Sequence, residues 1–378
     1  MPRVAPLAKC RFTVPGVAEA LAAAKPGAEL LIDFEFSTLK DELWAKKGWI
    51  VARDQIALGT GWDFVSVRKT DGTAAPKVAE DERTVTVACG STRAVFCRKS
   101  GTLCELAMNG RTILKDPAPG VTTGPRFTCF RAFTDNDRWV RDGDPWGENR
   151  KEGSFYASGL SQLRYHARPI VIDGNVVKTS VEVTGSKSAG FVHEMEWTFL
   201  ADGSIEIRNV LVPHGTMPPA LPRIGLSWIL DRDLERMEYY GRGPRENYID
   251  RCTGSFLGFW TSTVADQFEP YVRPQDNGYK CDVRHVDFLD KKGRGVRFSA
   301  SAPLFVQALH CAAEDLEFAR QRPGQKRWRT PLPVRKEIYL NLDIRQLGLG
   351  GGSCGPRPMA KYMFPVVPET WTVRLEPR

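Results

Sequence analysis

No apolar run in this chain approaches the roughly 18 residues needed to span a bilayer. The opening Met1-Pro2-Arg3-Val4-Ala5-Pro6 has neither the basic patch nor the apolar core of a secretory signal. These absences predict a soluble chain with no membrane partner and no export signal of its own. Among its nine cysteines (Cys10, Cys89, Cys97, Cys104, Cys129, Cys252, Cys281, Cys311 and Cys354) no Cys-x-x-Cys pair occurs. That argues against a zinc ribbon or a redox motif, and the odd count argues against a fully paired disulfide framework. Reduced thiols in a cytoplasmic setting are the expectation. Helix signals are sparse as well: residues 15 to 25 favour helix by propensity, and Ala312 to Ala319 carries a modest signal.

What the chain does have is an ordinary globular balance, 42% hydrophobic and 26% charged over 378 residues. This is enough for two or three domains, or for one large all-β domain and a smaller companion. The net charge of +8 raises the question of a polyanion partner. Most lysines and arginines are scattered beside acids along β-patterned segments. The one dense run lies between Arg322 and Lys336, around Trp328. A basic aromatic loop can bind nucleic acid, but a solvated surface loop is the commoner outcome, and no nucleic-acid partner is expected.

Strand signals dominate. Glu29 to Phe36 and Trp44 to Leu58 read as two strands after the Pro26-Gly27 turn. Two or three strands are too few for a sandwich, so residues 1–68 are expected to be part of an immunoglobulin-like β-sandwich whose first strands are missing. Beyond a polar connector, Thr84 to Ala88 alternates, and Asn109-Gly110 is a strong hairpin turn. Phe191, His193, Met195, Trp197 and Phe199 fall on one strand face, as do Ile338, Leu340, Leu342 and Ile344. Regular strands with turn punctuation over residues 69–378 predict a large antiparallel all-β sandwich.

One stretch resists a plain reading. Phe130-Arg131-Ala132-Phe133-Thr134-Asp135-Asn136-Asp137-Arg138 packs two carboxylates, an amide and two guanidiniums into nine residues after an apolar run. Partly buried charges must satisfy one another, so an ion network of Asp135 and Asp137 with Arg131 and Arg138 is expected, with direct sugar contact as the alternative. This segment resembles the one that opens the last domain of bacterial β-galactosidases of glycoside hydrolase family two. Other stretches agree in order: Trp44-Ala45 with Gly48 to Ala52; Phe96 to Leu114; Pro222 to Leu226 leading into Tyr240 to Arg251; Tyr271 to Gly278; and Leu340 to Pro358.

The resemblance implies a supersandwich domain like that of galactose mutarotases, closing one side of a galactose pocket. Gly352, Ser353, Cys354, Asp135, Asn136 and Asp137 would line the pocket. Arg131, Arg138, Trp146, Arg242, Glu246 and Asn247 would meet the catalytic barrel, with Phe155 and Tyr156 either facing it or lying in the domain core. That barrel, with both catalytic glutamates and its magnesium, is absent here. The expected partners are therefore the barrel, a β-galactoside and further copies in an oligomer, with no cofactor in this chain. Cys354 stands where the family commonly presents a tryptophan for the sugar, which implies a roomier aglycone subsite.

The chemistry of the residues agrees with that division. Retaining glycoside hydrolysis needs two carboxyl groups about 5–5.5 Å apart. Asp135 with Asp137, and Glu194 with Glu196, are pairs spaced for an extended strand instead. Glu194 and Glu196 read as a solvated face opposite Met195 and Trp197. Mutarotation would need a histidine acid and a carboxylate base, and the five histidines (His166, His193, His214, His285 and His310) match no such pattern. His193 reads as a core histidine. Gly350 to Gly355 satisfies Gly-x-Gly-x-x-Gly, but too few residues follow for a strand–helix–strand unit, so dinucleotide binding is excluded.

Overall fold

The computed structural model describes residues 4–25, 27–59, 62, 76–118, 120–142, 155–186, 188–321 and 332–378. The chain forms two compact units, Met1–Asp63 and Phe64–Arg378. In the first, helix α1 (Val17–Ala23) precedes strands β1 (Leu31–Ser37) and β2 (Ile50–Ala57), which pair antiparallel. The second strand begins later than the sequence suggested. Residues 38–49 close a turn first, with Trp49 N donating to Thr38 Oγ1 at 3.1 Å and Gly48 at φ 87°. Phe36, Val51 and Ile56 remain exposed on this pair, as do Trp44 and Trp49 in the turn.

The second unit opens with an antiparallel meander of β3 (Lys77–Glu80), β4 (Thr84–Cys89), β5 (Thr92–Cys97), β6 (Thr102–Met108) and β7 (Arg111–Lys115). Asn109 and Gly110 both take positive φ, 48° and 70°, the geometry that a tight two-residue hairpin needs. Thirteen further strands make one large antiparallel sheet. They are β8 (Arg126–Thr128), β9 (Arg164–Ala167), β10 (Val171–Asp173), β11 (Val176–Thr184), β12 (Gly190–Phe199), β13 (Ile205–His214) and β14 (Arg223–Leu230). There follow β15 (Arg236–Gly243), β16 (Phe256–Thr263), β17 (Lys280–Leu289), β18 (Gly295–Leu309), β19 (Ile338–Gln346) and β20 (Glu369–Pro377). Among the described residues two short α-helices, α2 (Arg138–Asp142) and α3 (Ala313–Gln321), interrupt them. The all-β architecture with a large antiparallel sheet is the one the alternating pattern predicted.

The sheet branches at its longest strand. Val296–Ala300 of β18 pairs with β20, whereas Phe305–Leu309 pairs with β19. The change of partner falls at Ser301-Ala302-Pro303, where Pro303 has no N–H to give a ladder. Strand β19 then carries β14 and β8. This branch is what brings the segments after β8 and after β19 to one place.

The meander packs on the large sheet through aromatics: the Phe96 ring meets Trp197 edge-on at 5.1 Å and Phe199 at 6.3 Å. His193 sits in the same core, 1% exposed, with Nε2 3.0 Å from Asn209 Oδ1 and its ring stacked on Trp371. Burial lowers its pKa to about 4 despite the Asn209 bond. Glu194 and Glu196 lie on the opposite face, as the alternation required. Phe96→Ala should cost about 3–5 kcal/mol by cavity formation. Denaturant unfolding checks this, and a loss under about 1 kcal/mol would mean that the two sheets do not depend on this contact.

Candidate functional site

Beyond the apolar end of β8 the chain turns inward, and Arg131 is fully buried. Its Nη2 donates to Asp137 Oδ1 at 2.7 Å and its Nη1 to the carbonyl of Leu347 at 2.8 Å. The other oxygen of Asp137 accepts from Thr134 N at 2.8 Å and Thr134 Oγ1 at 2.9 Å. Thr-x-x-Asp is thus read as a helix-entry cap, and it fixes the 3₁₀ turn Asp135–Asp137 before α2. Burial opposes the charge on Arg131, but Asp137 and Asp276 outweigh it and raise its pKa. One guanidinium therefore ties the turn after β8 to the segment after β19.

That second segment is the glycine-rich loop. Asp250 accepts from Leu349 N at 3.0 Å and Gly350 N at 2.7 Å, fixing its entry. Gly350 takes φ 62°, and a Cβ on Gly352 would lie 2.4 Å from the carbonyl oxygen of Asn136. Only glycine permits that approach. Ser353 N then donates to Asn136 Oδ1 at 3.1 Å, and the Arg357 guanidinium lies over Trp139 at 5.1 Å. Gly352 and Ser353 thus meet Asn136 directly, while Ser353 and the Cys354 thiol are exposed beside it.

The other expected site residues divide by burial. Asp135 pairs with Arg273, not with Arg138, which is exposed. The expected four-membered ion network is therefore corrected: Asp137 uses Arg131, and the partner of Asp135 comes from a distant segment. Arg242 pairs with Asp282, and Glu246 accepts from Tyr271 Oη and from Gly278 N at 2.8 Å. Asn247 is 1% exposed, donating to the carbonyls of Arg242 and Arg245 and accepting from Cys281 N. Enclosed by this chain, Arg131 and Asn247 cannot touch another polypeptide; each holds a loop instead. Phe155 is fully buried and Tyr156 packs on the same core, so the domain-core reading holds for both. Trp146 lies outside the described residues.

The profile of a family described as "Beta galactosidase small chain" matches residues 89–375. The chain belongs to the β-galactosidase small-chain family. It is 27% identical over 325 residues to a β-galactosidase of Priestia megaterium, covering 85% of this chain and 29% of that protein. A β-galactosidase of Halalkalibacterium halodurans is 29% identical over 328 residues, covering 85% of this chain and 30% of that protein. The chain thus spans less than a third of these relatives' length. A solved galactose 1-epimerase from Lactobacillus acidophilus covers 81% of this chain at 9% identity and a TM-score of 0.39, too weak a likeness to bear on function.

In this small-chain domain the two aspartates of the turn differ in exposure: Asp137 is fully buried, whereas the side chain of Asp135 is 44% exposed. Asp137 accepts three hydrogen bonds, and Asp135 is held by Arg273. Among the described residues no group of three or more His, Cys, Asp or Glu side chains is placed to hold a metal ion. Several residues that fix the loops were not singled out from sequence: Asp250, Arg273 and Gln275, whose Oε1 accepts from Asp135 N. All three lie inside segments that carry the resemblance, so the signal was present, but their partners are more than 90 residues away.

Beneath the turn the polar network continues. Asp276 accepts from Tyr248 Oη at 3.0 Å and Gln307 Nε2 at 2.9 Å, while Asp343 accepts from Tyr279 Oη at 2.6 Å, 3.7 Å from Arg223. Burial raises Asp276 to about 7 and Asp343 to about 6, with Arg131 and Arg223 opposing the shift. Unfolded carboxyls titrate near about 3.9. The native state therefore binds more protons than the unfolded state between about pH 4 and 7, and these two groups lower stability as pH rises through that window.

Asp137→Ala should cost about 3–5 kcal/mol, because it leaves the Arg131 charge buried and unpaired. Asp135→Ala, breaking a partly exposed pair, should cost under about 1 kcal/mol; equal losses in denaturant melts would contradict the division. Asp276→Asn should flatten the stability profile between about pH 4 and 7. A profile as steep as that of the unaltered protein would show that Asp276 does not titrate there.

Proposed function

We propose that this chain is the part of a β-galactosidase that completes the sugar pocket and the assembly, while hydrolysis is performed by a catalytic barrel outside this chain. The observation that carries the reading is the junction of Gly352 and Ser353 with Asn136. Two loops from distant parts of the sequence, one of them exposed at Ser353 and Cys354, are locked together, as a preformed pocket wall requires. Membership of the small-chain family and the threefold greater length of its relatives support the same division of labour. The proton donor, the nucleophile and the magnesium then belong with the barrel. Arg138, Arg242 and Glu246, the expected contact residues with surface to offer, would face it, and Cys354 would border the aglycone.

The test is complementation. Purified chain alone should give no turnover of a chromogenic β-galactoside, and adding a β-galactosidase fragment that holds the barrel but lacks the small-chain region should restore it. Gly352→Ala, which forces the loop away from Asn136, should lower the restored rate at least about tenfold, since misplacing a pocket wall by an ångström costs on that order. Turnover by the chain alone, or none on mixing, would overturn the reading.

A further inference from the structure

Between β16 and β17, Pro270 and Pro274 bracket the tripeptide Tyr271-Val272-Arg273. Proline fixes its own φ and restricts the residue before it, so both ends of this tip are stiff. Hydrogen bonds fix the rest. Tyr271 N donates to the carbonyl of Glu269 at 2.8 Å, and Tyr271 Oη donates to Glu246. Arg273 pairs with Asp135, and Gln275 Oε1 accepts from Asp135 N at 3.3 Å. At the base of the tip, Asn277 accepts from Glu269 N at 3.1 Å and donates to the Gln275 carbonyl at 2.9 Å.

A tip held this firmly still shows apolar surface to solvent: Val272 is 78% exposed and Tyr271 45%. One exposed valine is ordinary. Here two neighbouring apolar side chains are displayed by a fixed loop, so little conformational freedom remains to be lost when something binds them. Three exposed arginines belong to the segments that the tip is bonded to. Arg245 precedes Glu246, Arg138 follows Asp137, and Arg251 donates to the carbonyl of Gly350. None of the three makes an ion pair among the described residues. The acids of the region are only partly exposed, and most are engaged: Asp135 by Arg273, Glu246 by Tyr271 Oη and Gly278 N, and Asp250 by two N–H groups of the glycine loop. Glu269 is half-buried. An apolar centre that includes a tyrosine, edged by arginines, is the composition of a protein-binding hot spot.

We propose that Tyr271 and Val272 form an anchor by which this chain docks onto the polypeptide that carries the catalytic barrel. The inference rests on the division of labour proposed above and adds a surface through which the two parts meet. Position decides the occupant. Asp135, which holds the tip through Arg273, is the chain neighbour of Asn136, which holds Ser353. A partner seated against that junction therefore lies next to the tip as well. A second copy of this chain fits less well, because a twofold pairing would set the three arginines against one another. The complementary surface is an apolar socket for Val272 and the Tyr271 ring, with carboxylates placed to meet Arg138, Arg245 and Arg251.

The test measures association directly, apart from turnover. The full chain is titrated against a β-galactosidase fragment that holds the barrel but lacks the small-chain region, and the complex is followed by sedimentation. Val272→Asp and Tyr271→Ala should each raise the Kd at least about tenfold. Val171→Asp, at a valine 54% exposed on β10, should leave it within about twofold. Val272→Asp should also melt with the unaltered chain, which separates a lost contact from a lost fold. No association of the unaltered chain overturns this proposal together with the division of labour. Association that either tip variant leaves unchanged, or that Val171→Asp weakens equally, overturns the proposal alone. So does a self-dimer of the chain that Val272→Asp dissociates, since the occupant is then a second copy. An unchanged Kd with a raised KM for a galactoside in the complex would put the tip against substrate and overturn it too.

Discussion

A guanidinium with no access to water is the constraint on which the rest depends. Arg131 is enclosed completely, and a charge so placed must be surrounded by fixed acceptors. Asp137 supplies one and the Leu347 carbonyl another. Because the first comes from the turn after β8 and the second from the segment after β19, satisfying one charge holds two distant segments together. Neither a hydrophobic contact nor a surface ion pair would do this with the same directionality, since the bonds demand both position and angle.

The branched sheet makes that meeting possible. By changing partner at Ser301-Ala302-Pro303, β18 sends β19, β14 and β8 off the line followed by β20 and β13. Polar groups then gather where the branches part. Arg131, Asp276, Arg223 and Asp343 alternate in sign across this region, and Tyr248, Tyr279 and Gln307 add hydrogen bonds between them. The network supports the Gly350–Gly355 loop.

The junction of the two loops is made of backbone as much as of side chains. Gly352 contributes by having no Cβ at the point where Asn136 approaches, and Asp250 by holding the two N–H groups at the loop entry. Ser353 joins that framework through its backbone N–H on Asn136, and the Cys354 thiol is displayed beside it.

Alternation and turn chemistry were legible without coordinates, because strand faces and hairpins are local consequences of side-chain type. The strand carrying Phe191 to Phe199 and the Asn109-Gly110 hairpin are examples. So were the motifs that place the chain in its family. The partners of the charges were not legible. Asp135 took Arg273 in place of its near neighbour Arg138, and Arg131 and Asn247 proved to be internal fasteners. The first strands also misled: Trp44 to Trp49 read as extended but turned, since Thr38 and Gly48 satisfied the backbone locally. What the sequence determined by itself was therefore the repeating pattern of the sheets and the identity of the special segments. Which charge met which was decided only when strands more than a hundred residues apart paired, because ion pairs form by proximity in space and carry no periodic trace along the chain.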